Sequence, residues 1–87
     1  MIFIGLGKAK IKPNKESIER ATKILDDLRS KGIKIINLYW TLGRYDYVLV
    51  FEAANAQEAL KVSLASAEFM TTETLTAIPR ENAIKLL

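Results

Sequence analysis

The residues whose types could do chemistry are concentrated in one short segment, TLGRYD, which runs from Thr41 to Asp46 ahead of the apolar run YVLVF. Asp46 can accept hydrogen bonds from a ligand or act as a base, and Tyr45 can donate to a ligand oxygen. Each residue also has a structural interpretation. Asp46 then bonds backbone N–H groups of a turn or pairs with a cation, Tyr45 packs with its hydroxyl hydrogen-bonded, and Arg44 is solvated or forms a surface ion pair.

Two residues outside this segment complete the candidate set. Glu73 is a carboxylate among four threonines in TTETLT. It either forms a salt bridge with a basic residue on an adjacent strand or joins Asp46 in a polar pocket. We expect Tyr39 at an interface and its neighbour Trp40 in the core. No residue is assigned as catalytic, and the candidate ligand-binding residues are Tyr39, Thr41, Arg44, Tyr45, Asp46 and Glu73.

The chain contains neither cysteine nor histidine. Disulfides and thiolate chemistry are therefore excluded, together with the commonest zinc ligands and the one side chain that titrates near neutrality. A cation site made of carboxylates alone stays open. The sequence predicts no metal and no cofactor.

The net charge of +3 comes from the lysines of KAKIKPNK, between Lys8 and Lys15. Without these four lysines, nine basic residues face ten acidic ones. A basic patch for phosphate or nucleic acid is one interpretation, but the lysines lack interleaved aromatic residues. A solvated strand end and loop is the favoured alternative, so the run gives only weak support for nucleic-acid binding and no such partner is expected.

Length and hydropathy define the class of protein. The 87 residues predict a single domain spanning 1–87, and 49% of them are hydrophobic. A domain of this size has little core, so part of this apolar surface is expected to be buried against a second copy. The longest apolar runs fall far below the roughly 18 residues of a membrane span. We expect a soluble, cytoplasmic protein.

The periodicity predicts the element order β-α-β-β-α-β. Asn14 is expected to cap the first helix and Gly32 to end it, with Glu16–Arg20 and Glu19–Lys23 pairs on its outer face. Asn55 and Glu58 of NAQE predict a capping box for the second helix. A strand rich in threonine follows, then Pro79 and one or two helical turns. This order predicts a ferredoxin-like α+β fold, a four-stranded antiparallel sheet with two helices on one face.

Gly43 and Arg44 are predicted to form a two-residue type II′ turn between the middle strands. Pairing across this turn places two sets of residues on opposite faces. One face is apolar, with the pairs Leu42–Tyr45, Trp40–Tyr47, Leu38–Leu49 and Ile36–Phe51, and its rings are expected under the second helix. The other face is mixed, with Thr41–Asp46, Tyr39–Val48, Asn37–Val50 and Ile35–Glu52. A three-residue bulged loop would exchange the two faces.

TLGRYDYVLVFEA and the later TETLTAI resemble the GYD family, named for the residues that stand here as Gly43, Tyr45 and Asp46. The resemblance runs from about Ile33 to Ile84. It implies a ferredoxin-like subunit of the dimeric α/β-barrel type, in a family whose molecular function is largely unassigned. Similar barrels include cofactor-free monooxygenases, isomerases and small-molecule-sensing regulatory domains.

Two functional hypotheses follow. The first is a non-enzymatic homodimer, paired through its sheet face and open to further assembly, that binds a small molecule or a partner protein. The alternative is a cofactor-independent enzyme of the monooxygenase or isomerase type that uses Arg44, Tyr45 and Asp46. The absence of histidine and cysteine weakens the alternative, because Asp and Tyr titrate far from neutrality unless burial shifts them.

Overall fold

The computed structural model describes every residue from Met1 to Leu87. Its elements are β1 Ile2–Ala9, α1 Lys15–Ser30, β2 Lys34–Trp40, β3 Tyr47–Glu52, α2 Ala56–Ser66, β4 Met70–Ala77 and α3 Arg80–Ile84. The predicted order is confirmed, and α3 is the short helix expected after Pro79. None of the helices has both the length and the apolarity needed to cross a membrane.

The four strands form one antiparallel sheet in the order β2-β3-β1-β4. Because side chains alternate along a strand, each strand contributes to two faces of this sheet. The helix face packs against α1 and α2, and no part of the chain packs over the opposite face, which we call the open face. This is the predicted ferredoxin-like arrangement.

The core lies between the two central strands and the helices. The rings of Phe3 on β1 and Phe51 on β3 stack with centroids 5.5 Å apart. Leu28 of α1 and Val62 of α2 belong to the same buried cluster, together with Ile33, Ala53 and Ala59. Further along β1, the helix face carries only Gly5 and Gly7, so the aromatic core covers only part of the sheet.

Both ends of α1 are fixed by local hydrogen bonds, as the sequence predicts. Asn14 and Ser17 form a reciprocal capping box, with the Ser17 N–H donating to Asn14 Oδ1 at 2.8 Å. At the other end Gly32 has a φ of +95°, and the N–H of Ile33 donates to the carbonyl of Leu28. This closure is a Schellman motif, and the positive φ explains the glycine.

Arg20 lies on the exposed side of α1 and does not form the predicted pair with Glu16. Its guanidinium pairs with Glu68 instead and stands 5.2 Å from the ring centre of Phe69. The second predicted pair, Glu19 with Lys23, is also absent. Arg20 therefore ties α1 to the segment after α2. An exposed i,i+4 ion pair on a helix contributes only about 0.3–0.5 kcal/mol, so the pair with Glu68 and the contact with the Phe69 ring are together preferred to the pair with Glu16.

The start of α2 matches half of the predicted capping box. Asn55 accepts a hydrogen bond from the N–H of Glu58 at 2.9 Å. The Glu58 carboxylate does not return to Asn55; it pairs with Lys61 at 2.8 Å. A nearby cation thus replaces the backbone N–H as its partner.

The pairing of β2 with β3 follows the prediction near the hairpin and departs from it at the far end. Trp40–Tyr47, Leu38–Leu49, Tyr39–Val48 and Asn37–Val50 are paired as expected. A bulge at Ile36 then shifts the register, so Ile35 pairs with Phe51 and Lys34 with Glu52. The predicted pairs Ile36–Phe51 and Ile35–Glu52 are therefore wrong. The extra residue lets Ile35 reach the core beside Phe51.

Trp40 is not a core residue, contrary to the prediction. It lies at the end of the edge strand β2, keeps 64% of its surface exposed, and meets Tyr47 edge to face at 5.6 Å. It lines a hollow together with Ile11, Pro13 and Ile18, which come from the loop before α1 and its first turns. The ring therefore lies beside α1 at the rim of the sheet and not under α2.

Candidate functional site

The hairpin between β2 and β3 positions the predicted site residues. Its loop is wider than a two-residue turn: the last backbone pair is the N–H of Thr41 with the carbonyl of Asp46, at 2.8 Å. Leu42 to Tyr45 lie beyond this pair, and Leu42 is fully exposed. Gly43 has a φ of +108°, which confirms the expected positive φ and explains the glycine.

Asp46 holds the hairpin against β1. Its N–H donates to the carbonyl of Gly7 and its carboxylate accepts from the N–H of Ala9, both at 2.8 Å. On the other side of the loop, Thr41 Oγ1 donates to the carbonyl of Tyr45 at 2.6 Å. Asp46 precedes β3 instead of starting it, and its carboxylate extends the β1–β3 pairing by one hydrogen bond. The geometry matches the structural interpretation of this residue.

Tyr45 and Glu73 form the polar centre of the site. The Tyr45 hydroxyl donates to Glu73 Oε2 at 2.7 Å, which joins the hairpin to β4 across β1. This hydrogen bond raises the pKa of Tyr45, and desolvation and the charge of Glu73 act in the same direction, while Arg44 opposes them. The phenol is therefore protonated near neutral pH and serves as a hydrogen-bond donor, not as a base.

Three of the six predicted residues thus come together in one shallow depression, which we call the polar groove. It is lined by Leu6, Lys8, Arg44, Tyr45, Thr71, Thr72 and Glu73. The groove brings two cationic side chains beside a carboxylate and a phenol. Such a set matches a small polar molecule that carries both an anionic group and a hydrogen-bond donor.

The other three predicted residues lie elsewhere. Thr41 and Asp46 border a separate hollow beside the loop that follows β1. Tyr39 stands opposite Val48 on β2 and is half exposed. Sequence reasoning missed Lys8 as a neighbour of this site. The signal available was its position at the end of β1, but only the pairing of β1 with β4 shows that it lies near Glu73.

The basic run that contains Lys8 is otherwise exposed. Lys10 donates to the carbonyl of Ala67 at 3.0 Å, and Lys12 and Lys15 are exposed at the loop and the start of α1. No group of three His, Cys, Asp or Glu side chains lies close enough together to hold a metal ion. The site is therefore described by its hydrogen-bonding groups alone.

The open face beside the polar groove is aliphatic. Side chains alternate along paired strands, so Ile4 on β1 lies between Val50 on β3 and Leu75 on β4, and Leu6 lies beside Val48. Leu75 keeps 47% of its surface exposed. A continuous aliphatic surface of this kind on three adjacent strands is typical of an interaction site.

A second hollow lies on the opposite side of the sheet, between the helix face and the two helices. Its volume is about 100 Å³, and no charged residue lines it. Gly5 and Gly7 of β1 form its floor, and Ser63 and Ser66 of α2 lie in its wall. We call this hollow the inner cavity.

Comparison with solved structures places this arrangement in a known class. The fold is similar to that of LrpC from B. subtilis, with a TM-score of 0.66 and 17% sequence identity. The match covers 91% of this chain and 53% of that one, so the chain spans about half the length of LrpC. At this identity the likeness establishes the ferredoxin-like fold alone.

The family is established by sequence. The sequence model of the GYD domain matches residues 2–87, and the chain therefore belongs to the GYD domain family. The match extends beyond the hairpin and β4 to include β1 and α1. No curated protein matches the chain.

Proposed function

We propose that this GYD domain is a homodimeric, non-enzymatic module that binds a small polar molecule at the edge of its subunit interface. The observation that carries the proposal is the aliphatic open face with the polar groove at one end. The two features share Leu6, whose side chain belongs to the face and also lines the groove. A partner that covers the face therefore also borders the groove.

A second copy is the occupant that fits the open face best. The face is a flat, regular array of aliphatic side chains on antiparallel strands, and an identical sheet provides a complementary surface through a two-fold axis. Polar groups lie at both ends of the aliphatic strip, with Lys8 and Glu73 at one end and Glu52 at the other. They provide the polar rim that such interfaces have.

The polar groove supports binding more than catalysis. Its phenol is held protonated by Glu73, and Asp46, the carboxylate that would act as a base, is engaged with the Ala9 N–H outside the groove. What remains is a set of donors and acceptors in which the single carboxylate, Glu73, already accepts a hydrogen bond from the Tyr45 hydroxyl. Arg44 and Lys8 would bind the anionic group of a ligand, and Glu73 its donor.

Adjacent residues of β4 provide a matched test of the dimer. Leu75 points to the open face and Thr76 to the helix face, and both are exposed in the single subunit. Because the chain has no cysteine, Leu75→Cys and Thr76→Cys each carry one thiol. We expect a maleimide reagent to label Thr76→Cys rapidly and Leu75→Cys slowly, with the protection lost on dilution. Equally fast labelling of both at micromolar concentration would contradict the dimer.

Ligand binding is tested separately by native mass spectrometry of protein purified directly from cells. The expected spectrum shows a dimer with a small molecule bound, and Glu73→Gln should lose that molecule while remaining dimeric. The same bound mass in both proteins would place the ligand outside the polar groove. A dimer without any bound molecule would argue against the binding function.

A further inference from the structure

We propose that the inner cavity is a second binding site, which takes a small uncharged molecule about the size of one aromatic ring that carries a hydroxyl group. The cavity lies on the helix side of the sheet, away from the open face and the polar groove. Binding in it therefore requires neither the dimer nor the polar ligand. The proposal depends on the origin, chemistry and size of the cavity.

The cavity exists because one stretch of the helix face lacks large side chains. Gly5 and Gly7 leave two successive positions of β1 empty, and Ser63 and Ser66 face this stretch from α2. The aromatic core around Phe51 closes one end, and Phe69 and Met70 close the other. Small residues on both the floor and the wall thus produce an opening in a sheet-helix layer that is packed on either side.

The two glycines differ in what a side chain there would meet. A Cβ at Gly7 would lie 2.5 Å from the sulfur of Met70, so the flexible Met70 side chain would have to move to make room for it. A Cβ at Gly5 would have Leu49 Cβ as its nearest neighbour, at 3.8 Å, an ordinary van der Waals distance. Gly5 has no left-handed φ either. Neither backbone geometry nor close packing requires a glycine there, and its effect is to keep the cavity open.

The lining determines the chemistry of the ligand. Eleven of the seventeen lining residues are hydrophobic and none is charged, so an ion would lose its hydration without a partner. The polar side chains of the lining carry hydroxyl groups, and those of α2 and β4 lie close together. Ser63 Oγ and Thr74 Oγ1 lie 3.2 Å apart, and Ser66 Oγ donates to the Val62 carbonyl at 2.9 Å. Their oxygens retain the capacity to accept one hydrogen bond from a ligand.

The size sets the scale of the ligand. The volume is about 100 Å³, and an apolar protein cavity of roughly 150 Å³ holds benzene. This cavity is smaller than that one, so a single ring that carries no more than one small substituent is the upper limit. A neighbouring hollow at Trp40 shares Leu25, Leu38 and Met70 with the cavity lining, so these side chains separate the cavity from that hollow.

The experiment is a chemical-shift titration of the labelled protein with phenol, toluene and benzoate. We expect phenol and toluene at millimolar concentration to shift the amide signals of the residues that line the cavity, and phenol to bind more tightly than toluene. Benzoate should leave these signals unchanged. Binding of benzoate as tight as that of phenol would overturn the proposal. So would the absence of any response to both neutral probes.

Variants then locate the site. Gly5→Val fills the floor and should weaken phenol binding by at least about tenfold, while Thr76→Val, on the same face but outside the cavity, should not. Ser63→Ala keeps the shape of the cavity and removes one hydroxyl. It should therefore weaken the binding of phenol severalfold and leave the binding of toluene unchanged. This variant decides the question if Gly5→Val does not fold. Unchanged phenol affinity in both Gly5→Val and Ser63→Ala would overturn the proposal.

Discussion

Removing the Asp46 carboxylate should destabilise the fold measurably, because it is the partner of a backbone N–H at the end of β1. The bond to Ala9 is 2.8 Å long and half buried. A hydrogen bond to a charged group contributes about 1.5–3 kcal/mol when protected from water, and water can reach this one in part. We therefore expect Asp46→Ala to lower the free energy of unfolding by about 1–2 kcal/mol.

Asp46→Asn keeps an oxygen that can accept the same bond but loses the charge. Its expected cost is smaller, about 0.5–1 kcal/mol, because neutral hydrogen bonds are roughly half as strong. A matched control is Asp26→Ala, which removes an exposed carboxylate that pairs with Arg29 at 3.1 Å. Such a surface pair is expected to contribute less than about 0.5 kcal/mol.

Urea denaturation at pH 7 and one fixed protein concentration measures all three variants, since dimer stability depends on concentration. The expected order of destabilisation is Asp46→Ala, then Asp46→Asn, then Asp26→Ala. If Asp46→Ala were as stable as the Asp26 control, the carboxylate would not anchor the hairpin. Asp46 would then return to the candidates for ligand binding.

Three further predictions follow from the hairpin and the sheet. Gly43→Val should lower the free energy of unfolding by more than about 1 kcal/mol, because valine is strained at a φ of +108°. A Cβ there meets no other atom, so backbone strain is the only source of this loss, and unchanged stability in urea would contradict the prediction. Tyr45 should ionise above the ordinary tyrosine value near 10 in an alkaline absorbance titration, and Tyr45→Phe should remove that late step. Because the pKa of Tyr45 is raised in the folded protein, its contribution to stability is present below the unfolded value near 10 and is lost as the pH rises through the folded value. Leu75→Lys should give a monomer by gel filtration and Thr76→Lys a dimer; identical elution volumes would argue against the open-face interface.

Local signals in the sequence were sufficient for the elements and their ends. Asn14, Gly32 and Asn55 cap or end helices through bonds to residues within four positions, so short patterns determine them. The alternation of β3 and the positive φ of Gly43 are equally local. The fold class follows from the order of these elements together with the apolar content of the chain.

Features that depend on several elements at once were not predictable. The bulge at Ile36 forms because Ile35 packs beside Phe51, a residue that pairing across the whole hairpin brings near. Trp40 is exposed because it lies on an edge strand beyond the cover of α2. A strand order that places β1 between β3 and β4 was needed to bring Tyr45 to Glu73.

The inner cavity belongs to the same group of features. Its volume depends on residues of all four strands, of both long helices and of the segment that follows α2. No single segment encodes an empty space, and small residues such as Ser63 are equally compatible with close packing. The distinction between Gly5, where a Cβ would meet no atom closer than 3.8 Å, and Gly7, where it would displace the Met70 side chain, required the neighbouring atoms.

The central claim is that the open face is buried between two copies of the chain. Sedimentation equilibrium tests it most directly, because it measures molar mass without reference to shape. At micromolar concentration the wild-type protein should have about twice the 9.8 kDa mass of the chain. Val50→Lys, at the centre of the open face, should have the mass of one chain while keeping its secondary structure. A wild-type mass of 9.8 kDa across the micromolar range would contradict the account.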